Sequence, residues 1–186
     1  MAILFTADSH HGHPSILDHA KRQFASHEKM SSVLIKNANM RCKPGDQLLH
    51  VGDFMNYGLN KGIEGDRRKP SFYEEQYNAP IVHILGNHDE NNGVKFGLTS
   101  ARMQIGKMRA LVQHEPIREV SMHLNYDIVI CGHVHLAWKT KWVGHILCIN
   151  VGVDQWRYNP VTVQDIIALC DKECRNYSKS RQSPYK

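Results

Sequence analysis

Five short polar islands, four placed directly after an apolar run and the fifth one residue beyond another, constrain this chain more than any other feature. The islands are Ala7-Asp8-Ser9-His10-His11-Gly12-His13, Gly52-Asp53, Gly86-Asn87-His88-Asp89, His114 and Gly132-His133-Val134-His135. The runs before them are Ala2 to Thr6, Leu48 to Val51, Ile81 to Leu85, Ala110 to Val112 and Ile128 to Cys131. Short runs rich in valine, isoleucine and leucine read as buried strands. Open α/β sheets hold their ligands just beyond the carboxyl ends of such strands. The pattern therefore predicts an α/β fold that gathers aspartate, asparagine and histidine at one edge of one sheet.

A chain of 186 residues with 41% apolar and 22% charged side chains suits one domain around one core. The expected domain covers residues 1–176, with 177–186 as a flexible polar tail. No apolar stretch approaches the roughly 20 residues that span a bilayer, and Met1-Ala2-Ile3 opens a strand without a basic region or cleavage site. A cytoplasmic protein without a membrane partner is the expectation. Five cysteines, with no Cys-x-x-Cys pair, fit a reduced compartment. The formal charge of +5 admits anionic substrates by attraction and steering. Oligomeric state is left open.

Along the chain, Pro14 sits well in the first turn of a helix. Ile16, Leu17, Ala20, Phe24, Met30, Val33 and Leu34 recur at helical spacing, which predicts a helix to about Asn39 with a break near Ala25-Ser26-His27. Strands are expected at Gln47 to Val51, Pro80 to Leu85, Ala101 to Ile105, Met108 to Gln113, Asp127 to Cys131 and Ile146 to Val151. Tyr57 to Pro70, with its glycines and basic Arg67-Arg68-Lys69, reads as a surface loop before a short helix over Ser71 to Tyr77. A last helix is expected from about Thr162 to Cys174. His11, His50, His83, His123 and His145 read as structural histidines, and Trp156 as a wall of the site.

Two divalent cations held ~3.5 to 4 Å apart need one ligand that touches both, with further donors for each. Asp53 suits the bridge, because the glycine before it lets the backbone come close. Asp8 and His10 alternate around one residue and can face one ion, with His135 completing that set. Asn87, His114 and His133 serve the second. Oxygen and imidazole donors without thiolates suit manganese, iron, zinc, cobalt or nickel alike, rather than calcium or magnesium, and manganese is the metal expected here. Such a pair stabilises phosphoryl oxygens and generates hydroxide near neutral pH. His13 lies beside the proposed metals, as a phosphate contact or as a support behind the ligands.

In order, Asp-x-His, Gly-Asp-x-x-Asn, Gly-Asn-His-Asp, a lone histidine and Gly-His-x-His resemble the calcineurin-like metallophosphoesterase superfamily. Thr6 to His13 and Asn150-Val151-Gly152-Val153-Asp154 resemble its compact bacterial and phage members. The resemblance implies a two-sheet β-sandwich flanked by helices and a phosphoric ester hydrolase. It implies Asp8, His10, Asp53 and His135 on one metal and Asp53, Asn87, His114 and His133 on the other. It also implies attack on a phosphomono- or phosphodiester by a metal-bound hydroxide. His88 would contact the phosphate beside Asn87 and protonate or stabilise the leaving oxygen. Many members steady that histidine with an aspartate where this chain has Asn56, and an amide does not raise imidazole basicity as a carboxylate does. The basic balance suggests, as an alternative, a nuclease or cyclic-nucleotide phosphodiesterase acting on nucleic acid ends. A catalytically silent scaffold, resembling the retromer subunit of this fold, is a further alternative that the presence of His88 opposes.

Overall fold

The structure is a computed structural model that describes residues 1–57, 68–120 and 125–182. Its strands are β1 (Ile3–Thr6), β2 (Gln47–Val51), β3 (Ile81–Ile84), β4 (Ala101–Ile105), β5 (Met108–Val112), β6 (Ile128–Cys131), β7 (Thr140–Val143), β8 (Ile146–Asn150) and β9 (Val161–Thr162). Its helices are α1 (Ile16–His19), α2 (His27–Arg41), α3 (Pro70–Glu74) and α4 (Val163–Gln182).

The strands form two sheets, ordered β3-β2-β1-β9 and β4-β5-β6-β8-β7. This is the two-sheet sandwich that the family resemblance implies, and it corrects only the single sheet suggested by the strand runs taken alone. Within each sheet the inner strands run parallel: β1 pairs β2 and β2 pairs β3, while β5 pairs β6 and β6 pairs β8. Parallel β3 forms one edge of the first sheet, and antiparallel β9, β4 and β7 form the other edges.

Period-two alternation assigns each strand residue a layer. Phe5, Leu49 and Val51 of the first sheet meet Val112, Ile128, Ile130 and Ile149 of the second in the central core. Their alternates Leu4 and Leu48 face outward against Ala38 of α2. On the far face of the second sheet, Leu111, Val129 and Cys148 pack under Ile117 and Trp138. Helix α4 enters the central core with Ile166 and Cys170, and its Tyr177 stacks on Trp142 of β7 at 4.7 Å. Burying a side chain of this kind contributes roughly 1.5–3 kcal/mol, so the interior between the sheets is the main source of stability.

The expected first helix is two helices. Ser26 caps α2, its hydroxyl accepting from the Lys29 N–H at 3.3 Å, and Lys21 has left-handed backbone with φ 52. Helix α3 begins at Pro70 as expected of a first-turn proline. The expectation of a last helix ending near Cys174 is corrected, since α4 continues to Gln182. Its start is preceded by β9, where the helix was expected to open at Thr162. The Tyr57 to Pro70 loop falls largely on 58–67, outside the described residues, as does His123. Among the described residues no helix is long and apolar enough to cross a membrane.

Candidate metal centre

The carboxyl ends of β1, β2 and β3 face those of β5 and β6 across the seam between the sheets. That seam collects all seven expected ligands. Asp8, His10 and His135 bring one donor atom each within 4.8 Å of one another, and so do Asp53, His114 and His133. Asn87 joins the second group, its Oδ1 lying 3.1 Å from both His114 Nε2 and His133 Nδ1. Asp53 Oδ2 faces both groups, 3.6 Å from His10 Nε2 and 3.3 Å from His114 Nε2.

The local backbone turns these side chains inward. Eight non-glycine residues have positive φ among those described, and five of them are Asp8, His10, Asp53, His133 and His135. Aspartate and histidine tolerate this region better than most residues, yet five at one place mark a functional constraint. Glycine supplies the close approach. A Cβ on Gly52, itself at φ +86, would collide with the His114 imidazole, and one on Gly86 would collide with the Asp53 carboxylate.

Hydrogen bonds leave specific nitrogens for the centre. His114 Nδ1 donates to the Val51 carbonyl at 2.9 Å and His135 pairs through Nδ1 with Asp154 Oδ2 at 2.9 Å. Each therefore presents Nε2, as a metal-binding histidine does when its other nitrogen is held. His10 contacts His13 through Nδ1 at 3.3 Å, while its Nε2 is buried without a hydrogen-bond partner. A buried imidazole nitrogen so placed beside carboxylates fits a cation. The mixed oxygen and nitrogen donors fit a divalent transition metal.

Electrostatics agree. Burial pushes the Asp8 carboxyl up to about 6, against the pull of His114 and His135. Burial also acts to raise Asp53, but the hydrogen bond and charge of His114 and the His88 N–H outweigh it and hold the carboxyl below its ordinary value. Burial disfavours charge on His114, yet Asp53 and Asp8 together lift it to about 9. Burial, helped by Arg22 and neighbouring imidazoles, holds His10 well below the ordinary histidine range. The carboxylates thus draw a proton onto His114 where a metal ion would displace it.

The remaining expected residues are less direct. His88 is half-buried at the rim, its ring 5.8 Å from that of His10, and its N–H donates to Asp53 Oδ1 at 3.1 Å. His13 is 8% exposed and meets the centre through His10, with burial first and His19 second bringing it down to about 4. Asn56 is half-buried and fixed through its N–H on the His11 carbonyl at 3.0 Å. Trp156 donates its indole N–H to the Asn150 carbonyl at 2.8 Å, behind the His135 turn.

Four supporting residues escaped the sequence reading. Asp89, fully buried, accepts the N–H groups of Asp53, Phe54 and Gly86 at 2.9, 2.8 and 2.8 Å. Asn150 donates to the His135 and Trp138 carbonyls at 2.9 and 3.0 Å. Asp154 holds His135, and Arg22 holds Asp154 at 2.8 Å. Asp89, Asn150 and Asp154 lay inside quoted motifs, and their position next to ligands was the available signal. Arg22 stood inside the expected first helix, where a lone basic residue reads as solvent-facing.

A recess of about 350 Å³ opens beside the second group, lined by Gly86, Asn87, Thr99, Gln113, His114 and Glu115.

Comparison with known proteins places this arrangement. The chain is 30% identical over 174 residues to the uncharacterized protein MJ1445 of Methanocaldococcus jannaschii, covering 91% of this chain and 92% of that one. The crystal structure of AQ665 from Aquifex aeolicus, a protein of unknown function, is similar in fold, with a TM-score of 0.68 at 22% identity, covering 90% of this chain and 98% of that one. The model of the calcineurin-like phosphoesterase superfamily domain matches residues 1–171. Two facing sheets, ligand turns at their carboxyl ends and a match over nearly the whole chain make this protein a member of the calcineurin-like phosphoesterase superfamily.

Proposed function

We propose that this protein is a dinuclear metal-dependent phosphoesterase that hydrolyses phosphomono- or phosphodiesters. The observation that carries the reading is Asp53, whose Oδ2 stands between two ligand groups, 3.6 Å from His10 and 3.3 Å from His114. Asp8, His10, Asp53 and His135 would hold one ion, and Asp53, Asn87, His114 and His133 the other. When bound, a pair of dications supplies hydroxide near neutral pH and neutralises charge on phosphoryl oxygens.

The chain's own residues do the rest. Asn87 and His133 are the open members of their group, so this side of the centre faces an entering phosphate. His88 stands at the rim with its backbone tied to Asp53, which sets the imidazole to hold or deliver a proton at the leaving oxygen. Asn56 lies on the Asp53 loop and orients His88 without raising its basicity. His13, in contact with His10 at 3.3 Å, steadies that ligand and is the proposed further contact for the phosphate. The recess beside Asn87 receives the esterified group. Manganese is the proposed metal, phosphate esters including nucleotides are the proposed substrates, and the cytoplasm is the proposed location.

Hydrolysis of p-nitrophenyl phosphate and bis-p-nitrophenyl phosphate with manganese tests this. Asp53→Ala is expected to abolish turnover, and His88→Ala to reduce it by about 10²–10⁴-fold, the usual contribution of a positioned proton donor. Equal rates for wild type and both variants would refute the proposal.

A further inference from the structure

The donors of Arg22 are fully engaged. An arginine has five N–H donors, and five contacts are present: Nε to Asp154 Oδ1 at 2.8 Å, Nη2 to Asp154 Oδ2 at 2.9 Å, Nη2 to the Asp8 carbonyl at 2.6 Å, Nη1 to the Ser9 carbonyl at 3.1 Å and Nη1 to Met30 Sδ at 3.3 Å. Both side chains of the ion pair are sealed from water, at 0% and 1% exposure. The Asp154 oxygen that accepts from Nη2 also pairs with His135 Nδ1 at 2.9 Å.

A continuous link thus runs from the Asp8 backbone through Arg22 and Asp154 to the His135 ring. Its two ends are ligands of the same group, and the described hydrogen bonds of Arg22 and Asp154 reach no member of the Asp53, Asn87, His114 and His133 group.

Buried ion pairs are poor stabilisers, because desolvation takes back most of the attraction. Retention of this one calls for another role. Backbone strain singles out the same place. Among the described residues, the three positive-φ non-glycine residues that are not ligands are Lys21, Arg157 and Tyr158. Lys21 directly precedes Arg22, and the other two follow Asp154 within one turn. Phe24 packs on Tyr158 at 4.8 Å between ring centres, holding the two strained loops together. Val153 N–H on the Ala7 carbonyl at 3.0 Å ties the Asp154 turn to the end of β1. Strain of this kind persists only where the surroundings over-determine it.

We infer that Arg22 and Asp154 are positioning residues that set the affinity of the Asp8, His10 and His135 metal position and leave the Asp53, Asn87, His114 and His133 position unchanged. Asp154 fixes His135 with Nε2 toward the centre, and Arg22 orients Asp154 while clamping the carbonyls that aim Asp8. The inference rests on the dinuclear site of the proposed function but not on its chemistry. Loss of a partner behind a ligating histidine weakens metal binding by about 10–100-fold.

Titration of metal-free protein with manganese by calorimetry is the test. Wild type is expected to bind two equivalents. Asp154→Asn is expected to weaken one of them by about 10–100-fold and to hold the other within about threefold. The double variant Arg22→Met/Asp154→Leu removes both buried charges together, a change that folds tolerate, and is expected to show the same one-sided loss. Thermal melts of the metal-free variants report folding separately. Unchanged affinities, equal losses at both positions, or a wild type that binds fewer than two equivalents each overturn the inference. Two manganese equivalents with no ester hydrolysis would refute the proposed reaction and leave the positioning role standing.

Discussion

Asp89 supplies no metal ligand, yet the structure makes it a sensitive position. Its carboxylate is fully buried and accepts three backbone N–H groups, from Asp53, Phe54 and Gly86, at 2.8 to 2.9 Å. Those donors bind the loop after β2 to the loop after β3, so one side chain sets the spacing between the Asp53 carboxylate and the Asn87-His88 pair. In Asp89→Ala all three donors lose their acceptor inside the protein. An unsatisfied buried donor costs about 1–3 kcal/mol, which sums to about 3–9 kcal/mol against an ordinary stability of about 5–15 kcal/mol. Asp89→Asn keeps one acceptor oxygen and turns an NH₂ toward the rest. Since Oδ2 serves Asp53 and Gly86 while Oδ1 serves Phe54, the better amide orientation loses one bond, at about 1–3 kcal/mol. Urea melts of the metal-free proteins followed by circular dichroism measure both. The expected order is wild type, then Asp89→Asn, then Asp89→Ala, with gaps of those sizes. An Asp89→Ala protein within about 1 kcal/mol of wild type would show that the three bonds do not hold the loops.

Gly52→Ala places a Cβ against the His114 ring at a left-handed backbone position, so manganese affinity at the second group is expected to fall by at least about tenfold, the scale of a misplaced ligand, as calorimetry would show. Burial holds the His11 imidazole down at about 3, so below pH ~6.5 the unfolded chain takes up a proton that the folded chain refuses, and stability falls as pH falls from 6.5 toward 3. This contributes about 1.4 kcal/mol per pH unit, measurable as the difference in slope between wild type and His11→Asn melts at pH 6 and 5. Manganese at 100 times its Kd is expected to stabilise the metal-free protein by about 2.7 kcal/mol for each site filled, a rise in Tm of about 5–11 °C per site for a domain of this size; an unmoved melting curve would exclude a site in the folded state. Binding at pH 7.5 is also expected to release protons, because the carboxylates raise His114 to about 9, and titrations in buffers of different ionisation enthalpy would detect them.

The ligands were legible because their chemistry and their place at strand ends coincide. Asp8, Asp53, Asn87 and the histidines at 114, 133 and 135 each follow an apolar run, and periodicity alone supplies that information. Which strands pair does not show in such runs, so the division into two sheets came from the family resemblance and not from the strand pattern. β7 was missed because Lys139-Thr140-Lys141-Trp142 mixes cations with aromatics, and its partner β8 lies across a turn at Gly144. The helix break was visible only as Ser26. Arg22 left no trace, since a buried arginine is recognised by its partners, here 132 positions away at Asp154. Asp89 and Asp154 were in view, but neighbouring ligands gave the motifs their meaning and drew attention from the carboxylates that hold them.

The division into two sheets also accounts for the backbone strain. A single parallel sheet presents its strand ends in a row, and a bridging carboxylate there has donors only on its two sides. Facing sheets present two rows across a seam, so Asp53 from one meets His114 from the other at 3.3 Å while keeping His10 of its own sheet at 3.6 Å. Chains leaving strands toward such a seam must turn sharply at once, which is why Asp8, Asp53 and His133 adopt left-handed backbone within two residues of β1, β2 and β6. Each such residue costs of order 1–3 kcal/mol, a sum that approaches the stability of a whole domain. Only strand ends anchored in a fully buried interior withstand that load, and Ala7, Val51, Val112 and Cys131, which lie at the ends of the ligand-bearing strands, are 0% exposed. The core therefore does more than stabilise the fold: it keeps carboxylates and imidazoles from relaxing apart, and so maintains a centre ready for cations.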